Sequence, residues 1–302
     1  MKQTDKIGRA TFHHIAPQRV THLTNREVRW LKHIERHGPL SSPYLYELTK
    51  DTHRCKDTTL RQLQKLRAGG FLHLPRQQRA TENANFKPFI YNLTPKAKTY
   101  LFDRGITEPT IRPTGHWWHS YMASCVTSSI DISAARAGTR YIPTHEILKI
   151  KDAPLAVAID GLRLIPDQLF ALNYGGSFRA FALEIDRGTE PKITAAKRKS
   201  YANSIGQYRK MIERKLHTSH YGLKAPLLVL WVFNSRTNES RFLEMLMEMP
   251  ANISEYFLTF CINDVCGNYQ RSHAPIWDLY KCSWNNRNGP VSIGAVANPP
   301  RL

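Results

Sequence analysis

The chain has 302 residues, 41% of them hydrophobic and 22% charged, a globular composition that excludes a disordered, fibrous or short disulfide-stapled chain. Its longest apolar run, PLLVLWVF at 226–233, is far short of the roughly 20 residues of a membrane-spanning helix. With 43 Lys+Arg against 24 Asp+Glu, the formal charge is +19, so a polyanion is the expected partner and a membrane is not.

The first 30 residues carry charges where a secretory signal would be apolar, so a cytoplasmic location is expected. Residues 1–115 hold a net +12 and the longer remainder +7, so the basic excess gathers in the N-terminal third. There Thr24-Asn25-Arg26-Glu27 has capping-box spacing and predicts a helix start. Val28, Leu31 and Ile34 recur at helical spacing until Gly38-Pro39. Ser41-Ser42-Pro43 opens a second, short helix. A third is predicted over 57–68, with Leu60, Leu63 and Leu66 as its buried stripe and Gly69-Gly70 as its stop. Strands at 71–74 and 89–93 flank a basic loop.

Helix, helix, helix, hairpin is the order of a winged helix-turn-helix, whose third helix enters a DNA major groove while the hairpin loop touches the backbone. The donors expected to hold double-stranded DNA are Arg54, Lys56, Thr58, Thr59, Arg61, Gln62 and Lys65 on or beside the third helix, with Gln64 and Arg67 also off the leucine stripe. Arg76, Arg79 and Lys87 are expected on the wing. Thr94-Pro95 predicts one more helix, and 108–114 reads as a linker. Residues 1–108 therefore form a DNA-binding domain and 109–302 a second domain.

The second domain reads as a helix over 116–137, then strands at 141–149, 155–159, 162–172 and 178–185, the Asp160-Gly161 pair marking a hairpin. A helix over 193–215, a strand at 227–233, a helix over 239–249 and a strand at 256–262 follow. Strands flanked by helices make an α/β sheet, and the whole chain is α+β. Two acidic breaks interrupt it. Alternation places Asp167 on the face of Ile165 and Leu169, and projects Glu184 and Asp186 together from the face opposite Leu183 and Ile185. Carboxylates this close repel unless a cation lies among them, which calls for Mg2+ or Mn2+. Stepping back four residues from the stripe of Tyr201, Ile205, Tyr208 and Ile212 puts Lys197 on the inward helix face, where it would orient a water or pair with an acid. Cys261, Cys266, His273 and Cys282 lack a CxxC pair, so no zinc is expected.

Pro166-Asp167, then Glu184-Ile185-Asp186, then a basic helix resemble a divergent PD-(D/E)XK nuclease, a mixed sheet flanked by helices. The resemblance implies that Asp167 and Glu184 ligate the metal. Asp186 stands where that superfamily usually has its lysine, so Lys197 from the next helix would replace it. Leu-Thr-x-Arg-Glu-Val at 23–28 and Glu-Ile-Asp-Arg-Gly-Thr-Glu-Pro at 184–191 are similar to the replication-relaxation family of bacterial plasmids and mobile elements. That family implies a DNA-associated role in replication and relaxation. Two readings stay open. One is a metal-dependent endodeoxyribonuclease or nickase acting through Asp167, Glu184, Asp186 and Lys197. The other is an inactive winged-helix replication or transcription factor whose nuclease-like domain serves as a scaffold, a homodimer surface or a dock for replication or transfer proteins.

Overall fold

The computed structural model describes residues 12, 17, 21–52, 55–80, 88–186, 200–262 and 278–294. The chain divides into two compact units. Within the described residues the first runs to Thr110 and takes up His116–Ile132, and the second holds Ile111–Gly115 and the described residues from Ser133 onward.

In the first unit, helix α1 (Asn25–His37) opens on the expected capping box, the Thr24 amide donating to the Glu27 carboxylate at 2.9 Å. Its buried face carries Trp30, Leu31 and Ile34. Strand β1 (Leu40–Ser41) leads into α2 (Ser42–Leu48), with Pro43 in the first turn as expected. Helix α3 (Lys56–Ala68) ends where the Gly69 amide reaches the Lys65 carbonyl at 2.8 Å and the Phe71 amide reaches Leu66 at 2.9 Å, with Gly70 at φ +77°. Strands β2 (Leu72–His73) and β3 (Ile90–Leu93) pair antiparallel, and β1 lines the other side of β3, giving the order β1-β3-β2. Thus β1 joins the expected hairpin as a third strand. Helix α4 (Pro95–Asp103) follows, capped by the Thr94 hydroxyl.

Helix α5 (Trp117–Arg136) begins in the first unit and ends in the second. After it come β4 (Arg140–Pro143) and a short helix α6 (Thr144–Leu148), where a single strand over 141–149 was expected. The hairpin of β5 (Val157–Ile159) and β6 (Leu162–Leu164) turns on Asp160 at φ +50° and Gly161 at φ +76°, the left-handed pair an Asp-Gly turn requires. The expected strand over 162–172 is two: β6 ends before Pro166, and β7 (Gln168–Asn173) belongs to another sheet. Proline has no amide to give a ladder, so the strand breaks there. Strand β8 (Phe178–Asp186) is followed, within the described residues, by α7 (Tyr201–Glu213) and α8 (Leu216–Tyr221). Strand β9 (Leu227–Phe233), α9 (Arg236–Met247), α10 (Ala251–Ser254) and β10 (Phe257–Cys261) complete the main layer.

The sheet order is β10-β9-β8-β7-β4: β8, β9 and β10 run parallel, while β7 is antiparallel to β8 and to β4. It is a mixed sheet flanked by helices. The parallel strands are joined through helical segments, as parallel pairing requires, and all seven residues of β9 are buried. A small pair, β11 (Ser283–Trp284) and β12 (Val291–Ser292), follows. Among the described residues no helix is long and apolar enough to cross a membrane.

Candidate functional site

Helix α3 carries the expected DNA donors. Lys56, Arg61, Gln64 and Lys65 are exposed, and Thr58 and Gln62 half-buried. At about 100° per residue, Arg61, Gln64 and Lys65 fall within one arc of about 100°. The buried arc opposite is Thr59, Leu63 and Leu66, spaced four and three apart. This corrects two expectations: Thr59, named as a DNA contact, is 1% exposed, and Leu60, named in the core stripe, is half-buried. Hydrophobicity pointed to three leucines, but the helical period selects the threonine. Arg67, expected outward, is also buried; removal from water lowers its pKa, and the nearby Tyr91 partly opposes that.

Arg76 is exposed at the start of a short 3-10 turn, Arg76–Ala80. That turn is fixed by Gln78, whose side-chain amide donates to the Ile90 carbonyl at 2.9 Å and accepts from the Ile90 amide at 3.0 Å. Arg54, Lys87 and the Arg79 side chain lie outside the described residues.

The three acids of the second unit are all buried, with Asp167 at 5%, Glu184 at 1% and Asp186 at 0% exposure. Alternation along β8 puts Glu184 and Asp186 on one face, as expected. Tyr208 of α7 donates to Glu184 at 2.6 Å, and Asn238 of α9 donates to Asp186 at 3.2 Å. Asp167 precedes β7 instead of lying within a strand. Gln168 pairs with Leu183, so Asp167 stands one step further out, level with Glu184, and its carboxylate accepts from the Ile185 amide at 2.8 Å. The Tyr208 hydroxyl is pushed well above its ordinary value, first by burial and then by Glu184, which accepts its hydrogen bond. Asp167 and Glu184 thus present carboxylates from neighbouring strands at one level of the sheet. Oxygen donors of this kind suit a hard divalent cation. Lys197 lies outside the described residues, as do Cys266 and His273 of the cysteine-histidine set.

Tyr208 and Asn238 were not identified as site residues from the sequence, where Tyr208 figured only in a packing stripe. A second cluster was also missed. In the first unit, His33 and His37 of α1 meet Asp131 of α5: Asp131 accepts from Arg36 at 2.6 Å and lies 2.8 Å from His37 Nε2 and 3.6 Å from His33 Nδ1. The signal was an i,i+4 histidine pair on one face of an amphipathic helix.

A basic helix in a unit built on a three-stranded sheet, followed by a mixed sheet with buried acids, defines a two-unit α/β protein. The sequence pattern of the Replication-relaxation family matches residues 31–227, and the chain belongs to that family. No curated protein matches it. Among solved structures it is similar to an XisH family protein from Nostoc punctiforme PCC 73102, with 14% identity over 46% of this chain and 93% of that one and a TM-score of 0.23. That likeness is too slight to carry a structural argument.

Proposed function

We propose that this chain is a winged-helix DNA-binding protein acting in the replication or relaxation of a plasmid or mobile element, with α3 as its groove-reading helix. One observation carries the reading: Arg61, Gln64 and Lys65 share the exposed arc of a helix whose opposite arc is packed, within the strongly basic N-terminal third. The order α1, β1, α2, α3, β2, β3 supports it, and family membership fits the replication theme. Fluorescence anisotropy with duplex DNA tests it. Arg61→Ala and Lys65→Ala should each weaken binding and reduce the slope of log affinity against log salt by about 1. Unchanged affinity and slope in both variants would sink it.

A second reading, a metal-dependent endonuclease or nickase, draws on the register that sets the buried Asp167 level with the buried Glu184 on the neighbouring strand. In this reading the two carboxylates would hold Mg2+ or Mn2+, which would supply Lewis-acid stabilisation of the charge developing at phosphorus. Tyr208 fixes the Glu184 oxygen, the Ile185 amide fixes Asp167, and Asp186 lies on the Glu184 face of the strand; Lys197 is the candidate for orienting the attacking water. Supercoiled plasmid with Mg2+ or Mn2+ should be nicked by the natural chain and left intact by Asp167→Asn. Inertness of the natural chain with both ions refutes this reading, leaves DNA binding standing, and favours a scaffold, a homodimer surface or a dock for replication or transfer proteins.

A further inference from the structure

The first unit contains a cluster that neither DNA binding nor the acidic site uses. His33, His37 and Asp131 are all buried, and each offers one ligand atom within 4.8 Å of the other two; Nδ1 of His33 and Nε2 of His37 are the nitrogens that face the Asp131 carboxylate. We propose that these three residues bind a borderline divalent transition ion of the zinc type and thereby join α1 to α5.

The donors have the right identity and spacing. Two imidazoles and a carboxylate are a set that zinc takes, at bond lengths of about 2.0–2.2 Å, which puts tetrahedral donors roughly 3.3 Å apart. The separations from Asp131 to the rings, 2.8 and 3.6 Å, bracket that spacing. The histidines are one helical turn apart, their ring centroids separated by 4.4 Å, so a single rigid helix presents both rings.

The nitrogens pointing away from the cluster are engaged as the outer contacts of metal-bound histidines usually are. His37 Nδ1 meets the Thr127 hydroxyl at 2.9 Å, and Thr127 in turn donates to the Ala123 carbonyl at 2.9 Å. With that hydrogen committed, the Thr127 oxygen accepts from Nδ1–H, which fixes the ring with Nε2 towards Asp131. His33 Nε2 meets the Ser128 hydroxyl at 2.8 Å, leaving Nδ1 to face the same carboxylate. Both hydroxyls come from α5, beside Asp131.

The competing cation is Arg36, 2.6 Å from the same Asp131 oxygen. Arg36 is also held by Glu108 at 2.6 and 2.8 Å, and Lys32 meets Glu108 at 2.9 Å. Glu108 therefore keeps Arg36 in place when the Asp131 oxygen turns to the ion. Carboxylate-only sites favour Mg2+ and Mn2+, whereas imidazoles select zinc, cobalt or nickel, which separates this cluster from the Asp167 and Glu184 pair.

The test uses the full purified chain, loaded with Zn2+ or Co2+ and dialysed. The expected result is a single retained equivalent. Its X-ray absorption should show two imidazoles and no sulfur, the cobalt form should have visible absorption of low-symmetry Co2+, and the unfolding midpoint should rise by about 5 °C with Zn2+. His33→Ala and His37→Gln should lose the equivalent and the midpoint rise. If either variant fails to fold, the zinc-edge spectrum of the natural chain decides alone. Sulfur ligation, an oxygen-only shell, or no retained metal would overturn the proposal, and each leaves DNA binding untouched.

Discussion

Glu27 and Thr59 show how much one side chain decides. Glu27 is 4% exposed, and burial by itself would raise its pKa. The Thr24 hydroxyl and amide and the Arg26 guanidinium outweigh that and hold it below its ordinary 4.5. A carboxyl depressed on folding adds stability that is complete above its unfolded value and disappears as pH falls through the folded one. Glu27→Gln should therefore cost about 1 kcal/mol at neutral pH, and denaturant melts of the two proteins should converge in acid. Thr59 carries the opposite lesson. Its buried hydroxyl has no hydrogen-bond partner among the described residues, so Thr59→Val should keep duplex affinity and stabilise the chain by up to about 1 kcal/mol in thermal unfolding.

At the level of elements, what is encoded locally was readable. The Thr24 capping box, the Pro43 helix start, the Asp160-Gly161 turn and the apolar strand at 227–233 each follow from neighbouring residues, and each is where it was expected. The failures occur where a distant partner decides. Residues 141–149 look extended, yet the chain turns into α6, where Thr144 hydrogen-bonds to the Leu169 carbonyl. Leu162 to Leu172 reads as one strand until Pro166 interrupts it. Asp167 is buried as expected, but because it caps the end of β7 beside Ile185, not through alternation within a strand. The stop of α3 is a firm case: a Cβ on Gly70, at φ +77°, would come 2.7 Å from Pro17. Gly70→Ala should therefore destabilise by more than about 1 kcal/mol, measurable in urea melts.

For the whole molecule, charge was the most informative number, and its consequence is measurable. A net +19 engaging six to ten phosphates predicts a loss of about 10³–10⁵ in duplex affinity between 50 and 200 mM salt, readable by anisotropy. The acidic site was legible in part, since Asp167, Glu184 and Asp186 stood out as breaks in apolar strands. Tyr208 and Asn238 did not, because a polar group reaching in from a neighbouring helix leaves no mark in strand periodicity. The His33 and His37 pair had its i,i+4 spacing as a signal, but the third member of the cluster comes from α5, which no local pattern links to it.

The contact between Arg36 and Asp131 spans 95 residues of chain. Translation at roughly 5–20 residues per second would deliver the aspartate about 5–20 s after the arginine. Until it arrives, the two imidazoles of the nascent α1 lack the carboxylate that they meet in the folded chain. A stalled nascent chain ending before residue 131 should therefore be cut by protease within α1, while one long enough to release α5 from the exit tunnel should resist.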